Sequence, residues 1–77
     1  MHQKIRRFIM KKIKWTNKYS GETGYVGSIS KAKGYFINAA TAEEARSFRS
    51  DKEVATAIQT LIELGEAENN LFQAEEV

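Results

Sequence analysis

The sequence predicts an α+β fold, a small antiparallel sheet of about four strands (a three-stranded meander plus a C-terminal strand) packed on one main helix. Three observations predict it. In "KKIKWT", residues 11–16, Lys12 and Lys14 alternate with Ile13 and Trp15, and two further β-rich runs follow across glycine-bearing turns. Val54, Ala57, Ile58, Leu61 and Ile62 then recur at three- and four-residue spacing. A last β-prone run, "NNLFQAEEV", closes the chain. A period of two marks a half-buried strand, whereas a period near 3.6 marks an amphipathic helix.

The elements follow in order. Ahead of the first strand, Ile5, Phe8, Ile9 and Ile13 sit at helical spacing within a basic stretch, but Met10-Lys11-Lys12 reads as a bacterial start. Residues 1–9 are therefore expected to form a flexible N-terminal extension, and residues 10–77 a single α+β domain. "NKYSGETG" supplies a turn, because Gly21 and Gly24 take positive φ without a side-chain clash. "YVGSIS" and "GYFIN" read as the second and third strands, with "KAKG" between them and Gly34 as the left-handed residue of the hairpin loop.

Two capping boxes open the second half, Thr41 before Glu44 and Ser50 before Glu53. In such a box the hydroxyl and the carboxylate each accept from an amide that the helix start leaves without a partner. The first box has room for little more than one turn before Phe48, while the second begins the main helix. Gly65 ends that helix in the usual left-handed position, and Asn69 and Asn70 form the turn into the final strand. Burial of Val54, Ile58, Leu61 and Ile62 would contribute roughly 1.5–3 kcal/mol each before entropy is counted.

The chain of 77 residues is long enough for one core only. It has no cysteine, and none of its apolar runs approaches the roughly 18 residues needed to cross a bilayer, so a cytoplasmic location is expected. A formal net charge of +2 hides a sharp division. Residues 1–38 hold nine Lys and Arg against the single acid Glu22, and residues 39–77 hold Arg46, Arg49 and Lys52 against nine acids. The front half also carries six of the eight aromatic residues.

The run "ARSFRSDKEVATAIQTLIELGE", following an "IKW" strand, is similar to small uncharacterised α/β proteins of Gram-positive bacteria and their phages or mobile elements. In that group an Ala-x-x-Phe-x-Ser segment leads into a helix and a terminal strand. The likeness covers most of residues 10–77. It implies the same fold, supplies no active site, and suggests an accessory role in a phage or mobile element.

Catalysis is not expected. His2 is the only histidine, so a nucleophile has no second imidazole base to recruit. Pairs such as Glu43–Glu44 and Glu75–Glu76 lack the contrasting environments that separate an acid from a base. "GETGYVG" is not followed by the Lys-Ser/Thr of a phosphate loop, and no metal-ligand spacing is present. No catalytic residue, metal or cofactor is therefore indicated.

The basic, aromatic front half is the one constellation that suggests chemistry. Lys12, Lys14, Lys18, Lys31 and Lys33, with Tyr19, Tyr25 and Tyr35, form a candidate nucleic-acid-binding surface on the sheet. Cations follow a phosphate backbone and aromatic rings stack on bases. A structural reading competes with this one, since Trp15, Tyr25 and Phe36 also suit the sheet's inward face and strand lysines guard against edge association. The expectation is thus a non-catalytic binding module for nucleic acid. The alternative is a protein-interaction or self-associating module, with a protein partner or a second copy bound through opposed charge or an exposed strand edge. Neither a membrane nor a small-molecule ligand is indicated.

Overall fold

The computed structural model describes residues 10–76. Four strands, β1 (Lys11–Asn17), β2 (Thr23–Ser30), β3 (Tyr35–Ala39) and β4 (Asn70–Glu76), form one antiparallel sheet in the order β3-β2-β1-β4. One helix, α1 (Asp51–Glu63), covers one face of it, and a short 3-10 turn, Glu66–Glu68, links α1 to β4. This is the small α+β fold that the periodicities imply. The expected extension over residues 1–9 lies outside the described residues, as does His2.

Alternation sorts the sheet's side chains. Ile13, Val26 and Phe48 form the core with Val54, Ala57 and Leu61 of α1, and Trp15, Ile29, Phe36, Ile58 and Phe72 pack around them. Phe36 is the aromatic hinge of this layer, 5.6 Å from Phe72 edge-on and 6.3 Å from Trp15. Tyr25 corrects the expected inward set. It pairs with Lys14 across β1 and β2, and so lies on the face opposite α1. On the helix the stripe is narrower than its spacing suggests, because Ile62 is 48% exposed while Val54, Ala57 and Leu61 are buried.

The caps follow from local chemistry. Ser50 Oγ accepts from Glu53 N, and Glu53 Oε1 accepts from Arg49 N, one residue ahead of the usual box partner. Gly65 takes φ +86°, as a helix stop requires. Thr41 Oγ1 accepts from Glu44 N, but only a turn results before the chain straightens. Gly24 departs from the expected role. It belongs to β2, with no positive φ, and leaves space for Trp15 rather than turning the chain.

One arrangement was not legible in advance. β1 pairs with β4 from Lys11 to Asn17 but with β2 only from Lys14 to Thr16, so β1 and β2 part at one end. The segment from Arg46 to Phe48 bridges the parting strands. Arg46 N donates to Val26 O at 3.1 Å, while Phe48 exchanges backbone hydrogen bonds with Lys11 at 2.8 and 2.9 Å. Phe48 is thereby anchored in the core at 2% exposure. The expected short connection through Phe48 thus carries an isolated β-bridge to Lys11.

Candidate anion-binding cleft

The residues singled out from the sequence scatter. Lys12 is only 7% exposed, and its ammonium donates to Ala45 O at 2.9 Å and Ser47 Oγ at 2.8 Å. The Lys12 ammonium, one of the cations of the candidate nucleic-acid surface, is thus engaged within the fold as a strut. Lys18 Nζ donates to Ala67 O at 2.9 Å, which ties the β1–β2 turn to the 3-10 turn. Tyr19, in that same turn, is 80% exposed. Lys31 and Lys33 occupy the β2–β3 loop, at the far end of the eight-residue β2. About 25 Å separates the two turns at a rise near 3.3 Å per residue.

Lys14, Tyr25 and Tyr35 do share the face opposite α1, Tyr35 opposite Ser30 near the Lys31 end. The Tyr25 hydroxyl donates to the Glu75 carboxylate on that face. This bond, with some burial behind it, holds the phenol above its ordinary pKa of 10.0. Lys11 is likewise engaged, 3.0 Å from both Asp51 and Glu76. Hydrogen bonds to these carboxylates, Asp51 foremost, raise its pKa above 10.5.

Three cations converge elsewhere. Lys31, Arg46 and Lys52 line a cleft of about 470 Å³ between α1 and the parted end of the sheet, together with Ile29, Phe48 and Ala57. Each comes from a different element. Lys31 opens the β2–β3 loop, which Gly34 N closes onto Ser30 O at 2.8 Å. Arg46 is fixed by its bond to Val26 O, and its guanidinium lies 5.1 Å from the centre of the Phe48 ring. Lys52, Thr56 and Thr60 lie at four-residue spacing on one side of α1, and all three reach the cleft. Ala57 keeps the floor low where a longer aliphatic would fill it.

None of the three cations forms an ion pair among the described residues. Glu53 is the one carboxylate in the lining, and it is already held by Arg49 N. A concave site with an apolar floor and a cationic rim is suited to holding an anionic group. A second cleft, on the other side of the Arg46–Phe48 segment, is lined by Met10, Lys12, Ala42, Glu43 and Ser47. Its only cation is Lys12, whose ammonium is already bonded to Ala45 and Ser47.

No family model, curated protein or solved structure matches this chain. The site therefore rests on its own geometry. Sequence reasoning found Lys31 but missed Arg46 and Lys52, because both lie in the acid-rich half. The available signal was the Lys52–Thr56–Thr60 spacing, a polar stripe running beside the apolar one. Among the described residues no group of three or more His, Cys, Asp or Glu side chains is placed to hold a metal ion, and no helix is long and apolar enough to cross a membrane.

Proposed function

We propose that the chain is a small non-catalytic binding module that receives an anionic group of its partner in the cleft bounded by Lys31, Arg46 and Lys52. One observation carries this reading: the three cations come from separate elements onto one concavity and have no acidic partner there among the described residues except the already bonded Glu53. Lys11, Lys12 and Lys18, by contrast, are engaged within the fold. Besides its three cations, the cleft offers the Glu53 carboxylate and the hydroxyls of Thr56 and Thr60.

The reading is tested by titrating isotope-labelled protein with a panel of anions, including a ten-residue thymidine oligonucleotide, and following its amide resonances. At least one anion should shift Lys31, Arg46 and Lys52 together, and an Arg46→Gln/Lys52→Gln double change should remove the effect. If every anion leaves these amides still, or moves Lys14 and Tyr25 instead, the cleft is not the binding site.

A second reading rests on the sheet edges. Among the described residues β3 and β4 each have one neighbouring strand, and Ile37 and Leu71 on them are about half exposed. An unpaired edge can accept a strand from a protein partner or a second copy. Light scattering over a concentration series would detect the second copy, and a strict monomer would remove that version.

A further inference from the structure

The cleft's floor and its single acid narrow the ligand class, given that the cleft binds anions at all. We infer that it takes a small amphipathic anion, one carboxylate or phosphate head joined to an apolar tail. The head is set by the rim, where Arg46 offers a planar fork and Lys31 and Lys52 two compact charges. The tail is set by the half-buried Ile29, with the buried Phe48 and Ala57 closing the cleft behind it. The volume of about 470 Å³ falls in the range of small-molecule sites.

Two features argue against an extended polyanion. Glu53 shares the lining with the cations, so a second phosphate along the cleft would meet a carboxylate. Phe48, the only aromatic ring in the lining, is buried at 2% exposure with Arg46 set against it. It therefore presents no open face for a base to stack on, and nucleobase recognition on single strands depends on such faces.

The experiment compares octanoate, octyl phosphate, octanol, inorganic phosphate and the thymidine oligonucleotide, each followed through the amides of Ile29, Lys31, Arg46 and Ala57. Octanoate or octyl phosphate should shift these amides saturably, at least tenfold more tightly than octanol or inorganic phosphate. Arg46→Gln and Lys52→Gln should each weaken that binding about tenfold, the equivalent of one lost charge-assisted contact. The Trp15 indole resonance should stay in place and report an intact fold. If Arg46→Gln loses that fold, Lys52→Gln, on the exposed side of α1, carries the test alone.

Octanol binding as tightly as octanoate would overturn the inference, since the head would then count for nothing. Inorganic phosphate matching octyl phosphate would overturn it through the tail. A cleft that answers only to the oligonucleotide would end the inference and leave the anion-binding reading standing. If none of the five probes moves the cleft, both fall.

Discussion

The indole Nε1 of Trp15 on β1 donates to Asn38 Oδ1 on β3 at 2.8 Å, spanning the strand that lies between them. Gly24, the cross-strand partner of Trp15, makes the span possible. A Cβ at Gly24 would lie 2.7 Å from Nε1 and would also strike Asn38 Oδ1. Gly24→Ala should therefore destabilise the fold by about 1–3 kcal/mol, the usual cost of overpacking. Urea unfolding followed by tryptophan fluorescence measures the loss. An unchanged midpoint and an unshifted emission maximum would mean that the indole does not need this space.

Lys12 and Lys14 look equivalent in sequence but should behave differently on substitution. Lys12→Met leaves Ala45 O and Ser47 Oγ without the ammonium that both accept from. An unmet buried polar group costs about 1–3 kcal/mol, whereas Lys14→Met should stay within about 0.5 kcal/mol. Denaturation midpoints of the two variants decide the matter, and equal values would count against the strut. The difference also governs how binding is assayed, because a charge reversal at Lys12 would damage the fold before it tested any ligand.

Much of the fold was legible because local chemistry and tertiary packing agree. The Lys12/Ile13/Lys14/Trp15 alternation is a strand, the Val54–Leu61 stripe is a helix, and that helix is bounded by the Ser50 hydroxyl at its start and by the left-handed backbone of Gly65 at its end. Failures came where a partner distant in sequence decides. Nothing local tells that Phe48 will pair with Lys11, that Lys12 will be roofed by Ala45 and Ser47, or that Tyr25 will turn outward to Glu75. The cleft was hidden for the same reason. Lys31 was visible within a basic half, but its companions Arg46 and Lys52 stand among acids, and only the parting of β1 and β2 brings them together.

Tyr25 and Glu75 predict an alkaline transition. The hydrogen bond to Glu75, reinforced by burial and by the carboxylate's charge, favours the neutral phenol in the fold. A raised pKa contributes stability that is present below the unfolded value near 10 and is lost as pH climbs through the folded value. Lys11 adds to the same trend, its pKa raised by Asp51 and Glu76. Phenolate absorbance should thus show a tyrosine ionising above the ordinary value of 10.0, and Glu75→Gln should bring it back toward that value. If no tyrosine of the parent protein ionises above that value, the Tyr25–Glu75 bond is not held in solution.

Glu53 joins the helix start to the cleft, and a single change there separates the two roles. Its carboxylate accepts from Arg49 N while it lines the same concavity as Lys31, Arg46 and Lys52. Glu53→Gln keeps an oxygen that can accept from Arg49 N but removes the negative charge. The fold should lose only about 0.3–1 kcal/mol, the worth of one acid in a helix's first turn. Affinity for octyl phosphate should rise about two- to fivefold, in line with the modest strength of solvent-exposed charge interactions. A thermal melt and an amide-shift titration give the two numbers independently. Weaker binding by the Gln variant, with the melt little changed, would mean that Glu53 does not oppose the ligand's charge, and the electrostatic account of the cleft would fail.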